Sequence, residues 1–407
     1  MSKKIVPLFA ILFLLVSCSP GQGMVTPFST GTPSLKPTAR VDYSSCTLLH
    51  YPVTPEAALG AQFENRSHIV GPSNAPVTII AFSDYQCLQC AFLAASLRQI
   101  RLTHPGDVRL IYLHTPQKDK DKDLLAVQAV EAADLQGKFW EMHDLLFEKQ
   151  PDWSALVPSE FEGWAATQAA SLGMDAVRFR SDFQGSEVAT RLQQSTQSNP
   201  GMQPFVPPLL FINSTKPYTS MADFASLDTV VRLDALAAQQ FTACPTGIID
   251  PLKQYIVTLH TARGDVVLQL YPDKAPLAVN NFVFLSRQGW YDGITFYKVI
   301  PGDRVMSGDP SNTGLGNPGF LFATEIVSGM RFDKPGVLAL DNDGPDTNGS
   351  RFFITLAPAS QLNGRYTIIG QVLSGLDILS ALTPRNPQPG RYLQPGDELI
   401  KVSIEER

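Results

Sequence analysis

Residues 76–100 read PVTIIAFSDYQCLQCAFLAASLRQI, and this stretch decides the fold of the first half of the chain. Its opening run, residues 76–82, is continuous, apolar and rich in β-branched side chains, which is typical of a strand buried on both faces of a parallel or mixed sheet. A Cys-Leu-Gln-Cys motif follows, and residues 91–100 after it are strong helix formers with apolar side chains on most turns. The pattern predicts a strand, a cysteine pair and a helix, in that order.

The two cysteines, Cys87 and Cys90, are therefore predicted at the N-terminus of the helix. Unpaired backbone N–H groups and the positive end of the helix dipole stabilise a thiolate there, so Cys87 can act as the nucleophile while Cys90 resolves the mixed disulfide. A structural disulfide or half of a zinc site is the alternative, but the sequence has one such motif and only six scattered histidines. The spacing favours thiol–disulfide exchange, which needs neither a metal nor a cofactor.

The residues around this motif resemble the DsbA-like branch of the thioredoxin superfamily. The resemblance rests on GPSNAPVT at 71–78, on the FSDYQC that leads into the motif, and on residues 129–143, which are similar to the helical insertion of that family. It implies an α/β thioredoxin-like fold with a helical insertion, assigned to residues 46–245. It also implies that Pro208, which precedes the apolar run at 209–212, is the cis-proline that packs against the disulfide in this family.

The two residues between the cysteines depart from the family pattern. The family commonly places proline and an aromatic residue or histidine here, whereas Leu88 and Gln89 offer neither positive charge nor a rigid ring. We expect a centre that is less oxidising than in the strongest oxidases of the family. Oxidase, reductase and isomerase chemistry use the same two sulfurs, so the reduction potential decides among them.

The N-terminus has the features of an export signal. Two lysines precede an apolar stretch at 5–16, which is shorter than the roughly 20 residues of a membrane span. The stretch ends in LVSC, which resembles the bacterial lipobox, so Cys18 would carry a lipid and anchor the mature protein. In the alternative, the signal is an ordinary secretory one and Cys18 is incidental. Residues 1–18 are assigned to the signal peptide and 19–45 to a flexible linker, which together predict an extracytoplasmic, membrane-anchored lipoprotein.

The two remaining cysteines, Cys46 and Cys244, lie on either side of the first unit. Of the five cysteines, one is assigned to the lipid and two to the redox motif, which leaves this pair for one bridge in an oxidising compartment. We predict a structural Cys46–Cys244 disulfide that closes the domain, and its long loop could contribute on the order of 5 kcal/mol. Two independent thiols that act as redox relays are the alternative.

Beyond a short linker at 246–253, residues 254–407 show a different pattern. The β-rich runs at 256–261 and 265–270 are separated by Ala-Arg-Gly and predict a hairpin, and a helix is predicted to begin at Pro276. Many short strands with glycine-rich turns follow. They indicate a closed β-barrel.

Nearly all of residues 255–406 resemble the cyclophilin family of peptidyl-prolyl isomerases. The resemblance rests on YPDKAP at 271–276, GITFYKVIPG at 293–302 and NGSRFFI at 348–354, which occur in the family's order. It implies a mainly β closed barrel with capping helices that rotates prolyl bonds, against a barrier of about 18–20 kcal/mol set by amide resonance. Such catalysis needs an apolar pocket for the proline ring and a donor that localises the lone pair of the prolyl nitrogen. An arginine supplies that donor in this family.

The resemblance identifies two catalytic positions in this half. Lys298 stands at the position of that arginine, where it keeps the charge but loses the planar fork, and Phe353 retains the apolar wall. Among the other positions, an apolar pair is replaced by Asp303 and Arg304, and an aromatic residue by Gln361. A working isomerase and a barrel kept as a proline-peptide binder therefore both stay open. The expected substrate-binding residues are Phe296, Met306, Asn342, Leu362 and Tyr366.

Length, charge and motifs together predict one kind of protein. A chain of 407 residues suits two or three domains, and its net charge of −6 argues against a nucleic-acid partner. The motifs predict an extracytoplasmic folding factor that combines thiol–disulfide exchange with prolyl isomerisation. Its partners would be unfolded or proline-containing secreted polypeptides, a redox partner that recycles the cysteine pair, and a membrane. The alternatives are a redox enzyme whose barrel is a non-catalytic binding module, and a thiol reductase that serves one dedicated partner.

Overall fold

The computed structural model describes residues 41–49, 68–117, 119–195, 205–214, 216–219, 222–388 and 390–407. The predicted signal peptide, Cys18 and residues 19–40 of the predicted linker lie outside these ranges. No helix within the described ranges is both long and apolar enough to cross a membrane. Two large sheets, each with its own hydrophobic core, organise this part of the chain.

The first large sheet has the predicted strand in its centre. After β1 (Thr47–Leu48), which pairs elsewhere, β2 (His68–Val70) lies antiparallel to β4 (Val108–His114), and β3 (Val77–Ser83) pairs with β4 in parallel and with β5 (Leu209–Ile212) antiparallel. The order is β2-β4-β3-β5. All but one of the residues of β3 are buried, so the prediction of a strand covered on both faces is confirmed.

Helix α1 (Leu88–Thr103) begins directly after Cys87 and packs on this sheet. Its buried side chains recur every three or four residues from Leu93 to Ile100, which gives the helix one apolar face towards the core. The sulfur of Cys87, the residue before the first turn, accepts the N–H of Cys90 at 3.1 Å. The predicted position of the cysteine pair at the start of a helix is confirmed.

A helical insertion separates β4 from β5. Its first helix, α2 (Asp123–Asp134), is terminated at Gly137, whose φ of 68° is left-handed and suits glycine. The N–H of Lys138 then donates back to the carbonyl of Ala133 at 2.9 Å, which completes a glycine cap. The other helices of the insertion are α3 (Phe139–Glu148), α4 (Gln150–Ser154), α5 (Pro158–Ser171), α6 (Ala176–Phe183) and α7 (Ser186–Ser195).

Helix α8 (Phe224–Ala237) follows β5 and packs on α1, and the second large sheet begins after it. Strands β6 (Tyr255–Thr261) and β7 (Gly264–Leu270) form the predicted antiparallel hairpin, with alternate side chains buried along β6. Helix α9 (Pro276–Arg287) begins at the predicted proline. The remaining elements are β8 (Ile294–Thr295), β9 (Lys298–Ile300), β10 (Arg304–Ser307), β11 (Phe320–Leu321), β12 (Val337–Leu340), β13 (Phe352–Thr355), β14 (Ile368–Ser374), α10 (Leu376–Ser380) and β15 (Glu398–Glu406).

The second sheet is a half-barrel, so the prediction of a closed barrel is wrong. Its strands follow the order β8-β15-β6-β7-β14-β12-β13-β10-β9, and the edge strands β8 and β9 do not pair with each other. Loop residues bond to these edges instead. Thr295 N–H donates to Asn312 Oδ1 at 2.8 Å, and Val299 N–H donates to the carbonyl of Arg385 at 2.7 Å. Because these partners occupy backbone groups that closure would need, the two edges stay apart.

The disulfide between Cys46 and Cys244 spans 198 residues, with its Cα atoms 5.8 Å apart. Sequence analysis predicts a bridge that closes the first domain, whereas in the structure both ends of that domain lie against the second. Strand β1 pairs antiparallel with β11, and Leu48 and Phe241 pack on the second core. Leu236, near the end of α8, is buried there as well. The bridge therefore fastens both ends of the first domain to the half-barrel.

Removing this bridge should destabilise the second domain more than the first. A Cys46→Ser/Cys244→Ser variant releases β1 and the segment after α8, and loss of a native disulfide costs about 2–5 kcal/mol. We expect faster hydrogen–deuterium exchange in peptides that contain β11 and an earlier thermal transition of the half-barrel. A Cys87→Ser/Cys90→Ser variant, which also lacks one bridge, is the matched control. Equal exchange of β11 in the two variants would contradict this account.

Candidate active sites

The first candidate site is the disulfide between Cys87 and Cys90, whose Cα atoms lie 5.1 Å apart. The side chain of Cys90 is fully buried, whereas that of Cys87 is partly exposed, so an incoming thiol reaches Cys87 first. In the reduced state, the N–H of Cys90 and the N-terminal dipole of α1 would stabilise a thiolate at Cys87. These positions suit an outer nucleophile and an inner resolving cysteine.

The Pro207–Pro208 peptide bond is cis and lies beside this disulfide. The sulfur of Cys87 is 3.6 Å from the carbonyl oxygen of Pro207. Pro208 is thus found in the position that the resemblance implies. Three exposed apolar side chains lie near these residues in the sequence. Leu88 and Phe92 follow Cys87, and Val206 precedes Pro207.

The helical insertion holds the backbone of the cysteine loop. The side-chain amide of the buried Gln150 donates to the carbonyl of Tyr85 at 2.6 Å and to that of Cys87 at 3.0 Å. Sequence reasoning missed Gln150, because it lies 63 residues beyond Cys87 and no local pattern marks it. The loop therefore depends on a contact that only the folded chain brings together.

A pair of carboxyl groups, Asp84 and Asp123, lies just before the cysteines. Both side chains are almost completely buried, and the N–H of Gln86 donates to Asp84 at 2.7 Å and to Asp123 at 3.2 Å. Burial, together with a hydrogen bond that protonated Asp123 donates to Asp84, raises the pKa of Asp123 to about 8. Asp123 therefore keeps its proton at neutral pH.

A second polar cluster joins the edge strand to the insertion. His68, His114 and Glu131 form one group within the described residues that could hold a metal ion, with ligand atoms within 4.8 Å of one another. Glu131 Oε1 accepts from Nε2 of His68 at 2.9 Å and from Nε2 of His114 at 3.2 Å. Burial opposes ionisation of Glu131, but these hydrogen bonds outweigh it and hold its pKa well below its usual range.

The geometry of this cluster fits a buried ion network better than a metal centre. Arg191 Nη1 lies 3.7 Å from the other carboxylate oxygen of Glu131, so a cationic group already compensates the charge. The Nδ1 atom of His114 is buried and has no hydrogen-bond partner among the described residues. Metal-binding histidines almost always have such a partner on the second nitrogen. We therefore assign the cluster a structural role between β2 and α2.

The second candidate site is an apolar cluster on the outer face of the half-barrel, separate from the barrel core. Its edge includes the partly buried side chains of Met306 and Tyr366. The Phe353 and Leu362 side chains lie within it, so four of the predicted site residues come together here. The buried members are Phe332, Val337, Ala339, Phe353, Ala359, Leu362 and Ile368.

Strand register places the charged residues beside this pocket. On β10, Met306 pairs with Lys298 on one side and with Phe353 on the other, so the three side chains share a face. Arg304 lies two residues earlier on the same face, and its guanidinium carbon is 5.3 Å from the centroid of the Phe353 ring. The carboxylate of Asp303 accepts from Nε of Arg304 at 3.0 Å.

The two other predicted site residues differ in their placement. Asn342 lies near the pocket, where its amide donates to the carbonyl of Arg365, next to Tyr366, at 3.3 Å. Phe296 lies apart from this cluster, with its side chain fully buried in the second core, and its role in substrate binding stays a prediction. The chain crosses between the edge strands β8 and β9 at this point, and it turns Phe296 inward.

Comparisons with known proteins agree with both halves of the chain. A family model described as cyclophilin type peptidyl-prolyl cis-trans isomerase matches residues 256–400, and one described as thioredoxin matches residues 64–224. Peptidyl-prolyl cis-trans isomerase A of Mycobacterium tuberculosis is 42% identical over 146 residues, which cover 32% of this chain and 80% of that protein. Peptidyl-prolyl cis-trans isomerase B of Streptomyces anulatus is 39% identical over 161 residues, or 35% of this chain and 92% of that protein.

The chain belongs to the cyclophilin family of peptidyl-prolyl isomerases. This cyclophilin has a thioredoxin-like domain before its isomerase domain. Its homologues support prolyl isomerase activity, and the preceding domain is consistent with a thiol–disulfide function. Sequence reasoning treated Arg304 only as a departure from an apolar pair, and its position over Phe353 emerges from the fold.

The Asp84–Asp123 pair should make the stability of this cyclophilin pH-dependent. The folded chain holds the pKa of Asp123 at about 8, above the ordinary 3.8, so its stabilising contribution is complete below pH 3.8 and is lost as the pH rises through about 8. Asn imitates the protonated acid without titrating. We expect the melting temperature of Asp123→Asn, relative to the wild type, to increase between these two pH values. Asp119→Asn, on the exposed loop nearby, is the control, and a pH-independent difference for Asp123→Asn would contradict the raised pKa of Asp123.

Proposed function

We propose that this protein is an extracytoplasmic folding factor that combines thiol–disulfide exchange with prolyl isomerisation of secreted polypeptides. One observation carries the proposal: a single chain presents an accessible cysteine at a helix N-terminus and, in its isomerase domain, an apolar side-chain cluster around Phe353 that contains four of the predicted site residues. Both chemistries act on unfolded chains, whose slow steps are disulfide pairing and prolyl rotation. The lipobox resemblance at Cys18 supports a membrane anchor, and the two disulfides suit an oxidising compartment.

In the redox step at the DsbA-like centre, the Cys87–Cys90 disulfide oxidises a client that carries two thiols. A client thiolate attacks Sγ of Cys87, the bond to Cys90 breaks, and Cys90 leaves as a thiolate. A second client thiolate then attacks the mixed disulfide, which oxidises the client and releases Cys87 as a thiolate. The N–H of Cys90 stabilises that thiolate. A redox partner must then reoxidise the pair, and the reverse sequence reduces a client.

The surroundings of the disulfide suit an unfolded client. Leu88 and Phe92 lie on the first two turns of α1, and Val206 lies just before the Pro207–Pro208 bond; more than half of each side chain is exposed. Exposed apolar side chains around a reactive sulfur offer contacts to apolar client segments. These contacts do not depend on a particular client sequence, which suits a general folding factor.

The isomerase step needs no covalent chemistry. The proline ring of a client packs against Phe353 and Leu362, while Met306 and Tyr366 border the pocket. Asn342 would bind the client backbone and hold the residue next to the proline. A cationic donor beside the pocket lowers the rotation barrier, since a hydrogen bond to the prolyl nitrogen localises its lone pair and weakens amide resonance.

The two activities should be separable by single variants of the full chain. Phe353→Ala and the milder Phe353→Leu remove pocket surface, and we expect kcat/KM for a proline tetrapeptide to fall at least about tenfold in Phe353→Ala. Cys87→Ser should abolish disulfide exchange with a reduced, unfolded protein. Each variant is the control for the other, because the sites lie in different cores. Proline-peptide binding without any turnover by the wild type would contradict the isomerase and favour the binding-module alternative.

The proposed anchor is tested separately at Cys18. Expressed in bacteria with the full leader, the wild type should fractionate with membranes and gain the mass of a lipid at the mature N-terminus. Cys18→Ser should lose that mass and leave the membrane fraction. Ser17→Ala keeps a small residue before the cysteine and serves as the control. An unmodified wild-type N-terminus would contradict the lipoprotein assignment.

A further inference from the structure

Two cationic side chains border the proline pocket, and they differ in how the fold holds them. Lys298 lies on β9 and Arg304 on β10, and both are partly buried. Lys298 makes no side-chain hydrogen bond or ion pair within the described part of the chain. Arg304 is held on two sides, by the carboxylate of Asp303 and by the face of the Phe353 ring.

The strand register explains why Arg304 reaches the pocket. Arg304 pairs with Thr355 on β13, and Met306, two residues later, pairs with Phe353. Side chains two residues apart on a strand share a face, so Arg304 is a diagonal neighbour of Phe353. Its guanidinium carbon lies 5.3 Å from the ring centroid, which is within the range of a cation–π contact. The guanidinium therefore lies over one face of the Phe353 ring.

The contact with Asp303 fixes the direction of the guanidinium fork. The Asp303 carboxylate accepts from Nε at 3.0 Å and from Nη2 at 3.4 Å, both on one edge of the planar group. The Nη1 group has no hydrogen-bond partner within the described residues. Arginine keeps its remaining donors in a fixed geometry when one edge is engaged, whereas lysine is a flexible point charge.

We propose that Arg304 donates the hydrogen bond to the prolyl nitrogen as the bond rotates, and that Asp303 is its positioning residue. This inference rests on the proposed isomerase function. No covalent bond forms or breaks. An N–H of Nη1 donates to the lone pair of the prolyl nitrogen as that lone pair localises, and this hydrogen bond is lost when the amide becomes planar again. Strand β10 thereby supplies the guanidinium that β9, with Lys298, lacks.

The experiment compares four variants of the full chain in proline tetrapeptide turnover, with the affinity for the same peptide measured by calorimetry. Arg304→Met removes the charge but keeps a long apolar side chain, and we expect kcat/KM to fall at least about tenfold while affinity changes less than threefold. Arg304→Lys should recover only part of the loss, because it restores charge without the fork. Lys298→Met should lose less than Arg304→Met. Arg407→Ala, which removes an exposed arginine paired with Glu405, is the matched control and should leave turnover unchanged.

A further variant, Asp303→Asn, tests the positioning role through the split between kcat and KM. It should lower kcat with little change in KM, since it leaves the apolar pocket intact. Turnover by Arg304→Met at or above the wild-type level would overturn the proposal, since the guanidinium would then merely occlude the pocket. A larger loss in Lys298→Met would also overturn it. If Phe353→Ala is inactive while Arg304→Met is active, the isomerase site stands and the donor assignment fails; a wild type without turnover overturns both.

Discussion

Both sites depend on backbone hydrogen bonds made by strands in the interior of a sheet. Strand β3 is paired with β4 along its whole length and with β5 over residues 79–82, so its end, and with it the start of α1 at Cys87, has a fixed position. Strand β10 is likewise paired with β9 and β13, and this pairing sets Met306 between Lys298 and Phe353. A shift of one residue in either register would turn the reactive side chains to the opposite face.

The two sites tolerate sequence change differently because different groups do their chemistry. In the proposed reaction at the disulfide, the backbone N–H of Cys90 and the helix dipole stabilise the thiolate, so the exposed Leu88 could vary without loss of that reaction. At the proline pocket, side chains supply both the apolar wall and the donor. Another residue can supply the hydrogen-bond donor there only if it lies on the same face of a neighbouring strand. Arg304 on β10 and Lys298 on β9 are related in this way.

Local patterns in the sequence predicted the elements, and long-range contacts decided what the patterns could not. Periodicity and turn residues predict the buried strand before the cysteines, the helix after them and the β6–β7 hairpin. Closure of the barrel was not, because it is decided by loop residues such as Asn312 and Arg385 that bond to the edge strands. The direction of the Phe296 side chain could not be predicted for a related reason: the residue lies between β8 and β9, outside the regular alternation of a strand. The partnership of Asp84 with Asp123 joins residues of separate elements, and no local signal marks it.

The connection between the two domains is a packed one. Helix α8 contributes Leu227 and Val231 to the first core and Leu236 to the second, so one rigid element belongs to both. The disulfide at Cys46 and the pairing of β1 with β11 add a second attachment at the other end of the first domain. Linked sites raise each other's effective concentration only when the client can span them, and a rigid connection makes that span nearly constant. Under the proposed function, a client engages both sites at once only if its cysteine and its proline are separated by enough chain to bridge a fixed distance.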